Sequence, residues 1–297
     1  MIRRNDICWC GSKEKWKKCH FPQVCSKTEQ NSFIPDVKNE YLRKHQIYIK
    51  DEHQIGKIRA SCQLASQILD ETARLAKAGI TTQELNDYAH RLCLEAGAIP
   101  ACLNYGYPPF PKSICTSINE VICHGIPCAT ALQEGDVLNI DVTTILDGYY
   151  GDCSRMVVIG KTTPERQRVV DVAYDCLMHS IAILKPGIAV SAIGDIIETY
   201  ATSRGCSVVY QFVAHGVGIE FHEGPQIPHC RNRNRIILVP GMTFTIEPMI
   251  NAGTADAVID PKDKWTARTR DGHASAQWEH TVLITENGHE ILTSWQR

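Results

Sequence analysis

The chain has 297 residues, 43% hydrophobic and 22% charged, with a formal net charge of −2 at pH 7. That is ordinary globular composition, enough for one large domain with a small appendage or for two mid-sized domains. The near-neutral balance argues against specific DNA as a partner, and no stretch reaches the about 20 apolar residues of a membrane helix, so no membrane partner is expected.

In chain order, the N-terminus MIRRNDICWC is basic but has no apolar run behind it, so it is not a secretory leader and a cytoplasmic protein is expected. Cytosolic thiols stay reduced, so the 14 cysteines need a role other than disulfides. Cys62, Cys93, Cys176 and Cys206 sit among apolar residues and read as small core side chains. Residues 1–22 are too few for a core. Within them, DICWCGSKEKWKKCHFP sets Cys8, Cys10, Cys19 and His20 in a C-x-C-x8-C-H pattern. Three thiolates and an imidazole make a closed tetrahedral set suited to structural zinc, the alternative being reduced cysteines in an unstructured tail. The segment resembles the SEC-C-type zinc motif, including its CGS turn and WKKCH ending. Metal binding would then be its folding energy. Its lysines with Trp9 and Trp16 suggest a docking module, with the ribosome as the expected partner. Residues 23–50 are polar, contain Pro35, and read as a linker with one strand at its end.

Residues 51–297 alternate helical and strand patterns and contain an internal repeat. AGITTQELNDYAHRLCLEAGA (Ala78 to Ala98) aligns with PGIAVSAIGDIIETYATSRGC (Pro186 to Cys206), matching Gly79 to Gly187, Ile80 to Ile188, Asp87 to Asp195 and Gly97 to Gly205. Each copy follows an amphipathic helix. The first places Ile55, Ile58, Cys62, Ala65, Leu69 and Leu75 on roughly one face; the second opens at Thr163-Pro164. Thr81-x-x-Glu84 is a capping box for the next helix. After each helix pair comes a strand with an acid at the same offset, Asp141 after Gly135 and Glu247 after Gly241. Two related half-domains of an α+β domain, with a site at their junction, follow from this; chance similarity over short windows is the alternative.

VLNIDVTTILDGYYGDCSRMVVIG reads as a hairpin turning at Asp147-Gly148. That register sets Thr143 opposite Asp152 and puts Asp141 and Asp152 on one face as diagonal neighbours. Two solvated acids on an outer face would need no cation, but Asp141 lies in an apolar run where an unpaired charge is costly. HGVGIEFHEGP adds His215 and His222 in a glycine-rich frame, TFTIEP adds Glu247, and AQWEHTVLIT adds Glu279, with His280 aimed at the other face. Oxygen ligands with one imidazole suit Mn²⁺, Fe²⁺ or Co²⁺ and accept Zn²⁺, and so many carboxylates favour two ions over one.

The segments SINEVICHGIP, NIDVT, GDCS, HGVGIEFHEGPQIPH, PGMTFTIEPM and AQWEHTVLIT, in this order and spacing, resemble those of type I methionine aminopeptidases over residues 45 to 297. The resemblance implies the pita-bread fold and removal of initiator methionine from nascent proteins by dinuclear-metal hydrolysis, with N-terminal methionyl peptides as substrates and a small second residue preferred. It implies Asp141, Asp152, His215, Glu247 and Glu279 as metal ligands, Asp152 and Glu279 bridging. Glu247 would be general base, His222 would stabilise the oxyanion, and His124 would meet the scissile amide. A methionine pocket of Cys102, Tyr105, Phe110, Cys115, Phe221 and Trp265 is implied, with extra residues in NYGYPPFPKS, and a monovalent cation site near Asn119, Val121 and Ser275. Two other readings compete: a proline-directed peptidase of the same fold, and a non-catalytic ribosome-binding relative.

Overall fold

The computed structural model describes residues 13–19 and 37–295. Cys8, Cys10 and His20 lie outside them. Cys19 ends the one-turn helix α1 (Trp16–Cys19) and is buried. The strand expected at the end of the linker is not formed: residues 37–45 are helical (α2), and 46–50 run irregularly against the rest of the molecule. Ile47 reaches into the main core and Lys50 is buried.

Local chemistry sets the helix boundaries. Asp51 opens α3 (Glu52–Leu75) with a capping box closed by Gln54, and Thr81 opens α4 (Thr82–Glu95) with the box closed by Glu84. Ile58, Cys62, Ala65 and Leu69 form the buried face of α3, while Ile55 and Leu75 lie at its margins. Strands β1 (Ile99–Pro100), β2 (Cys115–Ile118) and β3 (Val121–Cys123) follow, then the long hairpin β4 (Val137–Leu146) and β5 (Tyr149–Val158). The hairpin turns at Asp147 (φ 51°) and Gly148 (φ 82°), and pairs Leu146 with Tyr149 and Thr143 with Asp152 as the sequence predicts. Two positive φ values match the right-handed twist of the strands. β4 also pairs with β1 and β2, giving a four-stranded sheet on which α3 packs.

The second half repeats the plan. Helix α5 (Pro164–Ala182) is capped by Thr163 with proline in its first turn, and α6 (Ser191–Ser203) follows. After β6 (Ser207–Val208) come β7 (Ala214–Gly216), β8 (Glu223–Ile227), β9 (Thr243–Ile246), β10 (Met249–Asn251), β11 (Ala257–Ile259), β12 (Ala267–Thr269), β13 (Ser275–Gln277), β14 (His280–Ile284) and β15 (His289–Ile291). A five-stranded sheet runs β15-β14-β9-β7-β8.

The repeat extends to single hydrogen bonds. Gly79 N–H donates to Leu132 O (2.8 Å) and Leu132 N–H to Ile80 O (2.8 Å); in the other half Gly187 N–H donates to Leu238 O (2.9 Å) and Leu238 N–H to Ile188 O (2.8 Å). The isolated bridges Thr81–Ala131 and Ala189–Ile237 correspond in the same way. Gly135 (φ 90°) and Gly241 (φ 86°) open equivalent strands. The halves meet where Ser154 of β5 bridges Glu279, just before β14. Cys62, Cys93, Cys176 and Cys206 are all buried with free thiols. No helix of the described residues is long and apolar enough to cross a membrane.

Candidate metal centre

Each half supplies acids to the junction through strand alternation. On β4, Asp141 faces the same side as Thr143; on β5, Asp152 comes up opposite Thr143, whose hydroxyl donates to Asp152 Oδ1 (2.7 Å). Glu279 arrives from the other half, its backbone N–H donating to Ser154 O (3.0 Å). One carboxylate oxygen from each of Asp141, Asp152 and Glu279 lies within 4.8 Å of the others. His215 Nε2 stands 3.9 Å from Asp152 Oδ2 and 3.6 Å from Glu247 Oε1. All five residues singled out in the sequence therefore converge. Asp152 and Glu279 are 4% and 3% exposed, so the cluster does not face bulk solvent.

Such a cluster carries a cost that its own composition does not offset. Among the described residues, none of the four acids is paired with lysine or arginine. Burial, and after it the neighbouring acids, push Asp141, Glu247 and Glu279 well above the usual carboxylate range. Burial raises Asp152 to about 7 against the opposing hydrogen bond from Thr143. Divalent cations would relieve this repulsion, and oxygen donors with one imidazole are a ligand set they accept, so the residues fit the group. The histidine is ready for such a role: its Nδ1 lies 3.0 Å from Gly216 O, which can only accept, so Nε2 carries the lone pair aimed at the acids. Burial lowers its pKa to about 4, keeping it neutral.

Several supporting residues escaped the sequence reading. Thr245 donates to Glu247 Oε1 (2.8 Å), Gln277 Nε2 donates to Glu247 Oε2 (3.0 Å), and Glu247 N–H donates to His229 Nε2 (3.2 Å). His280 points away, bonded to Thr293 and stacked on Trp295 at 4.2 Å.

Beside the acids lies an apolar patch built from Ala101, Cys102, Phe110, Cys115 and Phe221, with Trp265, Ile126, Ile145 and Tyr150 packed on it. Tyr105 leans on Phe221 at 4.7 Å, and its hydroxyl is 2.7 Å from His222 Nδ1. Trp265 meets Phe110 edge-on at 5.4 Å and donates its indole N–H to Pro108 O (2.9 Å), which fastens the longer loop NYGYPPFPKS. His222 packs on His215 at 4.1 Å. His124 holds φ 56°, stands edge-on to Trp265 at 5.9 Å, and is pushed by burial down to about 4. Asn119 (φ 55°) accepts from Ser275 N–H at 2.8 Å, and Val121 opens β3 close by.

The model of metallopeptidase family M24 matches residues 56–286. The chain belongs to that family. It also carries a SEC-C motif, matched over residues 4–22. It is 53% identical over 292 residues to a methionine aminopeptidase of Chlamydia pneumoniae, covering 98% of this chain and 99% of that one. The crystal structure of methionine aminopeptidase from Rickettsia prowazekii matches with TM-score 0.81 and 46% identity, over 84% of this chain and 100% of that one. The prolidase from Pyrococcus horikoshii matches with TM-score 0.69 at 21% identity, over 89% of this chain and 67% of that one, which speaks to the fold alone. The fold is the pita-bread fold of the M24 enzymes, and family membership makes the protein a metallo-aminopeptidase that uses divalent metal.

Proposed function

We propose that the protein is a methionine aminopeptidase that removes the initiator methionine from nascent chains with two divalent ions. The observation that carries this reading is the apolar cluster of Cys102, Phe110, Cys115 and Phe221, with Trp265 packed on it, set beside the buried acids: Cys102 Sγ lies 3.9 Å from Thr143 Oγ1 and Phe221 packs on His215. Sulfur and aromatic groups of this kind suit a thioether. Near-full-length identity to a methionine aminopeptidase supports the same reading.

Asp141, Asp152, His215, Glu247 and Glu279 would hold the ions. Bound divalent ions supply Lewis acidity, drawing the pKa of a water toward neutrality and anchoring the free amine of the substrate. The remaining work falls to side chains. Glu247, oriented by Thr245 and Gln277, is the general base that takes a proton from the attacking water. His222, with Nδ1 accepting from Tyr105, presents Nε2–H to the developing oxyanion. His124 is neutral and meets the scissile nitrogen. Tyr105 and Phe221 close the pocket around the methionine side chain and exclude water. A small second residue is preferred.

Cys8, Cys10, Cys19 and His20 would bind structural zinc, and the motif would dock the enzyme to the ribosome in the cytosol. A monovalent ion would sit by Asn119, Val121 and Ser275. Cobalt, manganese, iron or zinc would serve at the main site. Turnover of Met-Ala-Ser against a Gly-Pro peptide tests the substrate; cleavage of the second alone would make the enzyme proline-directed, and cleavage of neither would leave a non-catalytic relative. Equal ribosome sedimentation with and without residues 1–22 would remove the docking role.

A further inference from the structure

Phe221 and His222 lie on the loop between β7 and β8. The next residue, Glu223, is buried, and so is the residue it pairs with: the side chains of Lys50 and Glu223 are each 1% exposed. Lys50 Nζ binds Glu223 Oε1. The second oxygen, Oε2, accepts from the backbone N–H of Glu220 at 3.2 Å, so one carboxylate both receives the lysine and closes the loop on itself. Phe221 and His222 are the two residues enclosed.

The segment that delivers Lys50 is held on two sides. Gly224 N–H donates to Gln46 O (3.1 Å), and Lys50 N–H donates to Gly241 O (2.9 Å). Both glycines permit a close approach: a Cβ at Gly224 would lie 2.5 Å from His45 O, and one at Gly241 2.8 Å from Lys50 O. Gly241 opens the run into β9 and Glu247. A stretch N-terminal to the family-matched region thus joins the His222 loop to the strand of the general base.

A buried ion pair is weak evidence for a stabilising role, because an apolar pair of similar volume often serves stability equally well. What charges at fixed separation add is direction. We infer that Lys50 and Glu223 form a positioning clasp that sets where Phe221 and His222 stand against the acid cluster and the pocket. The clasp touches neither substrate nor ion; it acts through the loop, and it rests on the aminopeptidase reading.

Full-length Lys50→Met/Glu223→Met keeps the volume and removes the direction. Melting temperature, bound metal and steady-state kinetics on Met-Ala-Ser are measured beside the wild type. The double variant is expected to melt within about 3 °C of the wild type with unchanged metal content. Its kcat is expected to fall about 10- to 100-fold, the size of loss a displaced catalytic group produces. A packing role alone would move the melting temperature and leave kcat untouched. Should the double variant not fold, Glu223→Gln gives a second reading: it keeps the shape but has one acceptor oxygen for two donors, and kcat falls in the same direction. Wild-type turnover with undiminished kcat in the folded variants sinks the clasp alone. Absence of wild-type turnover sinks the aminopeptidase reading and the clasp with it.

Discussion

A neutral imidazole has one proton, so whatever one nitrogen binds decides what the other can do. Gly216 O forces the proton of His215 onto Nδ1, and the Glu247 N–H forces that of His229 off Nε2. The Tyr105 hydroxyl lies 2.7 Å from His222 Nδ1 and, in the proposed mechanism, donates to it; burial raises the tyrosine pKa, so the hydroxyl keeps the proton it would donate. Tyr105→Phe removes that donor and lets His222 adopt either tautomer; kcat on Met-Ala-Ser should drop about tenfold, less than loss of an oxyanion donor outright. Steady-state kinetics with the pocket otherwise intact check it, and an unchanged kcat would put Tyr105 in the pocket wall only. Glu247→Gln should lower kcat by about 10²- to 10⁴-fold, the span assigned to a general base, with metal content measured alongside to separate base from ligand. The sequence revealed the five convergent residues because Asp141 interrupts an apolar run, the hairpin register brings Asp152 beside it, and each of the five lies in a recognisable segment. It concealed their supports for two reasons. Thr245 lies two residues from Glu247, where only period-two alternation marks it, and Gln277 reaches Glu247 from a separate strand 30 residues on. The pairs Lys50–Glu223 and Tyr105–His222 span 173 and 117 residues, and no local pattern reaches that far.

At the scale of elements, the β4–β5 hairpin carries two of the acids, and its glycines separate backbone strain from packing. Gly148 holds φ 82° with nothing within 4 Å of a Cβ built on it. Gly148→Ala should therefore cost only the left-handed conformation, about 1 kcal/mol, and leave kcat as it is. Gly151 has ordinary dihedrals but lies against α3, where a Cβ would meet Cys62 N at 2.3 Å and Ser61 C at 2.4 Å. Both are backbone atoms, so Gly151→Ala must push helix from strand and should cost more, about 3 kcal/mol, with weaker metal retention because Asp152 is the next residue. Denaturant melts of the two variants test the ranking; equal losses would mean that α3 yields easily. The hairpin and the capped helices were legible because turn and cap chemistry is local. Apart from β9, which the repeat and its acid gave away, the short strands from β6 to β13 were not, since two to five residues are too few for periodicity to declare itself. Residues 46–50 (QIYIK) alternate like the strand expected at the end of the linker, yet they form none, and Ile47 enters the main core through contacts that only the folded chain brings together.

For the whole molecule, the pseudo-two-fold plan means that ions would cross-link two halves: Asp141 and Asp152 come from one, His215, Glu247 and Glu279 from the other. Removing metal with a chelator should therefore lower the melting temperature by about 10 °C, taking an ion held at a thousand times its dissociation constant as worth about 4 kcal/mol. The pH dependence of that loss has a definite sign. In the chelated protein burial and mutual repulsion make the four acids hold their protons above the usual range, Asp152 up to about 7. In the unfolded chain the same groups titrate near about 4. Between those values the folded chelated form binds more protons than the unfolded one, so its stability is full below about pH 4 as far as these groups go and is lost as pH rises through 7. The metal-loaded form runs the other way, because ligands must shed their protons to bind and affinity climbs with pH. The gap in melting temperature between loaded and chelated protein should thus widen from about pH 5.5 to about pH 7.5. Calorimetry with and without chelator at three values in that window measures it. A gap that stayed constant or narrowed would mean that the acids at the junction are not what holds the ions.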